Sequence, residues 1–224
     1  MGQPTDTPYH IRPLRRCDRQ AVRDICVATN WMGQYRADIA PDDWLWAEYW
    51  TRYFTDRQPR LSWVAVRPAD GRVVGYLTGT ADVRDFDAYV PYLLGGIIWR
   101  VIRKRLISNA RSRRPMLALV RSAIKGEMTV PDSLLRQYPA TWHFNLLPEA
   151  RRRGLGTQML MRFIDAARQA RAPGLHAQVI SLNTASLAFC RRAGLACLHS
   201  TPLTAFAHVE SQPMQLQTWG MRLQ

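Results

Sequence analysis

The sequence predicts a mixed α/β sheet flanked by helices. Strand-like and helix-like stretches alternate along the second half, which favours βαβ units and parallel pairing there. "LSWVAVRPADGRVVGYLTGTA" (61–81) reads as two strands around an Asp-Gly turn, an antiparallel hairpin signal. The chain has 224 residues, 47% hydrophobic and 21% charged, enough to bury a sizeable core and too apolar for disorder. The expected organisation is one domain over 1–224 with a helical insertion at about 86–130.

In chain order, "YHIRPL" (9–14) reads as an edge strand ending at Pro13. Asp18 is the expected cap of a helix with Ala21, Val22, Ile25 and Cys26 on one face. "PDDWLWAEYWTRYF" (41–54) is a second helix with Pro41 and the acids in its first turn. After the hairpin, Asp82 ends the strand. Leu94, Ile97, Ile98, Val101 and Ile102 then recur at the spacing of one helix face. "MLALVRSAIKG" (116–126) is a shorter helix expected to follow Pro115. "ATWHFNLL" (140–147) is a strand, Gly154 to about Arg171 a helix, and "LHAQVIS" (175–181) a strand. "NTASLAFCRRAG" (183–194) is a helix with Asn183 as cap and Gly194 past its end, before two closing strands, the last at 214–223.

The formal net charge is +14, which favours anionic partners: a nucleic acid, a phosphorylated cofactor or a membrane surface. Cys17, Cys26, Cys190 and Cys197 form no C-x-x-C pair and no metal-ligand spacing, so they read as reduced thiols in a cytoplasmic protein. The first residues hold no apolar run of the kind that makes a signal peptide. They begin Met-Gly, but Asp6 stands where a myristoylation signal has Ser or Thr. "YVPYLLGGIIW" (89–99) is too short to span a bilayer.

"LLPEARRRGLGTQML" (146–160) carries the most chemistry. Met159, Leu160, Phe163, Ile164 and Ala167 form the apolar stripe of the helix that starts there. The first turn of a helix leaves backbone N–H groups unpaired, and the macrodipole adds partial positive charge. Glycines let a phosphate approach that backbone, and arginines add bidentate donors. No Gly-Lys-Ser/Thr follows, so this is not a Walker A loop; no third glycine follows Gly156 at the needed spacing, so it is not a dinucleotide fingerprint. Arg151-x-x-Gly154-x-Gly156 remains. Its other reading is a basic, capped surface helix.

One helix and one strand later comes "NTASLAFCRRAGL" (183–195). Together, "RRRGLG" and this segment resemble two ordered motifs of the GNAT superfamily of acetyl-CoA-dependent N-acetyltransferases. "HFNLLPEARRRGLG", with "RDICVATNW" and "LTGTADVRDF", is further similar to the acetyltransferase-like C-terminal domain of O-GlcNAcases and its bacterial relatives. The resemblance implies a GNAT-like fold: a mostly antiparallel sheet with a parallel, splayed central strand pair, flanked by helices. It implies that coenzyme A lays its pyrophosphate on the backbone amides of Arg152, Arg153, Gly154, Leu155, Gly156 and Thr157, beside Arg151. Its pantetheine arm would pair with the backbone of Asn145, Leu146 and Leu147, and Asn183 would point toward it.

The implied reaction is direct attack of a substrate amine on the acetyl thioester. An amine near pKa 10 is mostly protonated at neutral pH, so a base or a water must take its proton. Backbone N–H groups where the central strands diverge would stabilise developing oxyanion charge. His143 is a candidate base. It shares a strand face with Asn145 and Leu147 by alternation, opposite Trp142, Phe144 and Leu146. The narrower group resembles H-x-D here; this chain has "HFN", and an amide does not orient a histidine as a carboxylate does. His176 would line the same cleft or serve structure. Asp82 matches an acidic position of the group and would receive the ammonium, act as base, or merely form a turn. Cys190 follows Phe189 where many members place a tyrosine that protonates the leaving thiolate; its other reading is a small buried residue.

Between Ile97 and Lys125 lie nine Lys or Arg and no acid, leaving +5 for the rest of the chain. Three readings stay open: a lid over the acceptor cleft, a surface resting on anionic lipid, or a phosphate-binding face for nucleic acid. Against the last, no nucleic-acid module is recognised and aromatic residues are sparse. At the level of function the alternatives to N-acetyl transfer are a coenzyme-A-binding protein with little or no transferase activity, and a membrane- or nucleic-acid-associated module.

Overall fold

A computed structural model describes residues 9–223. The Met-Gly start and Asp6, which bear on leader and acylation signals, lie outside the described residues. The strands are β1 (His10–Pro13), β2 (Trp63–Arg67), β3 (Arg72–Thr80), β4 (Ala140–Leu146), β5 (Gly174–Ile180), β6 (Ala196–Pro202) and β7 (Gln215–Arg222). They form one seven-stranded sheet in the order β1-β2-β3-β4-β5-β7-β6. The helices are α1 (Arg19–Ala28), α2 (Asp43–Asp56), α3 (Val83–Arg103), α4 (Ala110–Ile124), α5 (Asp132–Gln137), α6 (Leu155–Gln169) and α7 (Thr184–Arg192).

All neighbouring strands pair antiparallel except β4 and β5. That one parallel pair is held only at Ala140–Leu175 and Thr141–His176. Beyond those residues β4 stays paired with β3 as far as Leu146, and β5 stays paired with β7 as far as Ile180. The middle of the sheet therefore splays, and one edge of β4 is open from about residue 142. Where the strands part, one face of β4 is covered by aromatic packing. Phe144 of β4 stacks on Phe189 of α7, centroids 5.6 Å apart, and Trp142 packs on Phe163 of α6.

The periodicity read for α6 holds: Met159, Leu160, Phe163, Ile164 and Ala167 are all buried. On the other sheet face Val22, Ile25 and Cys26 of α1 are buried, while Ala21 is only partly covered. Four local expectations are corrected. Asp18 stands at the cap position of α1 but its side chain bonds no α1 amide; its carboxylate accepts from Arg15 N and from both terminal guanidinium nitrogens of Arg12, and so closes the turn before the helix. Pro41 lies before α2, whose cap is Asp42, accepting from Leu45 N. Asp82 does not end β3, which stops at Thr80; it caps α3, which begins eleven residues ahead of Leu94. α4 begins at Ala110, capped by Asn109, and carries Pro115 inside it rather than ahead of it.

The largest departure is the orientation of α3. Phe86 and Tyr89 pack on Tyr53 of α2, and Leu93 is the only buried residue on the helix. Leu94, Ile98 and Ile102, from the stripe expected to find cover, face solvent. Arg100 makes a bidentate pair with Asp42 at 2.9 and 3.0 Å and lies over Trp44, which fixes the side presented to α2. The far end of the insertion is tied down by Glu127, which accepts from Thr204 N, Thr204 Oγ1 and Ser122 Oγ at 2.6–2.7 Å. Burial raises the Glu127 pKa, but those bonds and Lys125 outweigh it and hold the carboxyl below its ordinary range.

Candidate functional site

The open edge of β4 runs into the turn before α6. Pro148–Ala150 makes a single helical turn, Arg151 is extended, and Arg152 and Gly154 both adopt positive φ, at +57° and +75°. Gly154 sits at the cap position of α6 with no side-chain cap. The first amide in the helical ladder is Gln158 N, bonded to Gly154 O. Among the described residues, the N–H groups from Arg152 to Thr157 have no partner. Six amides at a helix N-terminus, with left-handed residues turning them inward, make a concavity for an anion.

Gly156 has a second reason to be glycine. A Cβ there would lie 2.9 Å from Phe144 Cζ and 3.4 Å from Phe189 Cε2. The residue expected to let phosphate approach also lets α6 approach the Phe144–Phe189 pair.

The three arginines are not alike. Arg151 donates from Nε to Leu146 O at 2.9 Å and from its terminal nitrogen to Gly33 O, while burial lowers its pKa. It ties the end of β4 to the loop before α2, so its guanidinium is not the free phosphate ligand expected of it. Arg153 donates to Glu149 O and lies over Tyr9. Arg152 is exposed.

Thr141, His143 and Asn145 share a β4 face with Thr80, Thr78 and Tyr76 of β3 by cross-strand register. There His143 stacks on Trp50 of α2, centroids 5.2 Å apart. Its Nδ1 is 3.2 Å from the Tyr76 hydroxyl, which accepts from Asn145 Nδ2 at 2.8 Å. Burial pushes the imidazole down to about 4, so it is neutral at physiological pH. Burial also holds the Tyr76 phenol well above its ordinary value and pushes the neighbouring Cys26 thiol up to about 12. The Tyr76 hydrogen has two acceptors in reach, His143 Nδ1 and the Cys26 sulfur. Only the second choice puts a hydrogen on Nδ1 and leaves a lone pair on Nε2. Sequence reasoning missed Tyr76 and Trp50. The alternation that placed His143 and Asn145 together gave no partner strand; the signal for Tyr76 was one phenol in the apolar run "VVGYL".

The other candidates separate from this cluster. Cys190 is 2% exposed within the main core, and burial pushes its thiol up to about 11. Asp82 Oδ1 accepts from Arg84 N and Arg84 Nε, the work of a helix cap. His176 is buried, with Nδ1–H donating to Tyr138 O at 2.6 Å; burial lowers its pKa and this bond partly opposes the shift. Asn183 caps α7 through Oδ1 to Ser186 N, which leaves only its amide nitrogen to reach outward.

A sheet splayed at its one parallel pair, opening onto an uncapped helix N-terminus, defines the class: the GNAT fold. Residues 132–195 match the model of the acetyltransferase (GNAT) family. Over those residues the chain is similar to the GNAT family, and its seven-stranded sheet with one parallel pair is the GNAT fold. Among solved structures it is similar to a protein named SsHAT, with 25% identity, TM-score 0.68, and 96% of this chain and 98% of that chain covered. It is also similar in fold to YncA of Salmonella typhimurium, whose structure was solved with acetyl-CoA: 16% identity, TM-score 0.56, 97% and 95% covered. A third is the polyamine N-acetyltransferase of Drosophila melanogaster, which catalyses formation of N-acetylagmatine: 14% identity, TM-score 0.58, 96% and 100% covered.

Proposed function

We propose that this protein is an acetyl-CoA-dependent N-acetyltransferase acting on a primary amine of a small molecule or peptide. The carrying observation is the row of unpartnered amides from Arg152 to Thr157 at the mouth of the splayed strands. Coenzyme A fits there: its pyrophosphate on those amides, its pantetheine along the uncovered edge of β4 as far as Leu146, and the Asn183 amide nitrogen beside it; Leu147, expected to pair with the pantetheine, has its N–H on Val74 O and its carbonyl on Ala150 N. When bound, it supplies an acetyl group as a thioester.

The chain's own contribution is proton handling and exclusion of water. With the Tyr76 hydroxyl donating to the Cys26 sulfur, Tyr76 Oη accepts from both Asn145 and His143 Nδ1–H. The phenol thus takes the orienting place that a carboxylate holds in H-x-D. His143 Nε2, which has Asn145 Nδ2 3.5 Å away, then carries the ring's lone pair and accepts the proton that the amine loses. Trp50 covers the imidazole and keeps it neutral. A neutral acceptor suits a cationic amine better than imidazolium would, because it adds no like charge. Cys190 takes no part, and Asp82 serves as a cap. The narrower likeness to the O-GlcNAcase C-terminal domain rests on sequence motifs alone.

The test is mass spectrometry of acetyl transfer to a panel of primary amines, for the native protein and His143→Gln. The proposal expects transfer to at least one acceptor and a 10²–10⁴-fold lower rate in the variant, the usual range for a general base. Tight acetyl-CoA binding with no transfer to any acceptor would leave a coenzyme-A-binding protein instead. Equal rates would remove His143 from the reaction.

A further inference from the structure

The basic insertion has a solvent face that the catalytic reading does not use. On α3, Leu94, Ile98 and Ile102 recur every fourth residue and point outward, with Trp99 beside them; Ile98, Trp99 and Ile102 are 57%, 60% and 70% exposed. On α4, Leu117, Val120 and Ile124 recur at i, i+3 and i+7, and Ile124 is 81% exposed. The joining turn exposes Ile107. Exposed cations accompany these side chains: Arg103, Lys104 and Arg105 after α3, and Arg111, Arg113, Arg114 and Arg121 on α4. No acidic residue occurs from 97 to 125, and among the described residues none of these seven cations forms an ion pair.

We propose that α3 and α4 dock the protein on an anionic lipid surface, their apolar side chains entering the headgroup boundary and their arginines pairing with lipid phosphate and carboxylate. The charge pattern selects this occupant. A second copy of the chain would set cations against cations with no acid to answer them. A nucleic acid would satisfy the charge but leave Ile98, Trp99, Ile102 and Ile124 in water. An anionic bilayer accepts both components, which is how interfacial amphipathic helices bind. No helix of the described chain is long and apolar enough to cross a membrane, so the contact is peripheral. Docking of this kind does not depend on the acetyl-transfer reading.

The experiment is co-sedimentation of the full-length protein with vesicles of phosphatidylcholine alone or with about 30% phosphatidylserine, in about 0.1 M and 0.5 M salt. Binding is expected only to the anionic vesicles and is expected to weaken at high salt. Arg113→Gln/Arg114→Gln/Arg121→Gln should lower the partition coefficient about 100-fold, taking about fivefold for each basic residue at the surface. Ile102→Asn/Ile124→Asn should also lower it at least tenfold; both positions are exposed, so folding is retained, and unchanged thermal unfolding checks this. Absence of binding to anionic vesicles overturns the proposal. So does binding indifferent to the Ile→Asn pair, which marks charge attraction alone. Tight binding to a homopolymeric RNA, or a concentration-dependent dimer lost in the Ile→Asn pair, overturns it when either occurs without vesicle binding.

Discussion

His143 couples folding to pH, and the coupling has a definite sign. Its ordinary value is 6.5, and burial beneath Trp50 brings it to about 4 in the fold. Between those values the unfolded chain binds a proton that the folded chain does not. Stability from this group is fully present above 6.5 and is lost as pH falls through 6.5 toward 4. A separation of about 2.5 pH units corresponds to about 3 kcal/mol, of which about 2 kcal/mol is lost by about pH 5. His176 shifts in the same direction, so total pH dependence does not isolate His143; a difference measurement does. Urea unfolding followed by tryptophan fluorescence, at pH values from about 7.5 to 5, is compared for the native protein and His143→Gln. Glutamine keeps a polar group beside Tyr76 and titrates nowhere, and His176 is common to both proteins. The native protein should lose about 2 kcal/mol more than the variant across that range. Parallel losses would refute the buried, neutral imidazole and the base assigned to it.

Tyr76→Phe removes the acceptor of Asn145 Nδ2 and His143 Nδ1 and should cost about 1–3 kcal/mol in urea unfolding. If Tyr76 orients His143, kcat should fall while KM for acetyl-CoA holds. Gly156→Ala forces a methyl to within 2.9 Å of Phe144 Cζ; destabilisation of about 1–3 kcal/mol and weaker acetyl-CoA binding by calorimetry are expected. Cys190→Val should leave kcat unchanged, and a collapse of kcat would restore the thiol as proton donor. Asp82→Ala should lower stability by about 1 kcal/mol through loss of the α3 cap, with kcat within a few-fold of native.

What the sequence made legible is what local chemistry determines. The stripe at Met159, Leu160, Phe163, Ile164 and Ala167 had one face to bury, and α6 buries it. Asp-Gly at 70–71 had to turn, and Asn183 had to cap. The site was legible in part for the same reason: a glycine turn opening a helix leaves free amides whatever surrounds it. What stayed hidden is set by tertiary partners. Periodicity shows that α3 has an apolar face but not whether anything covers it, and the Arg100–Asp42 pair, 58 residues apart, turns that face outward. Pro115 reads as a helix start, yet Asn109 caps the chain six residues earlier. Arg151 reads as a phosphate ligand because Gly33, 118 residues away, cannot be seen as its partner. Tyr76 is invisible as the partner of His143 until β3 and β4 are placed in register.

Coenzyme A on the turn into α6 would perturb the amides it touches. The most direct measurement is a titration of the 15N-labelled protein with coenzyme A, followed at assigned backbone amides. The largest shifts are expected at Arg152 to Thr157, with a second group at the end of β4 around Asn145 to Leu147. Saturable binding whose shifts gather on α3 and α4 instead, or no shift at the α6 turn at saturating ligand, would contradict it.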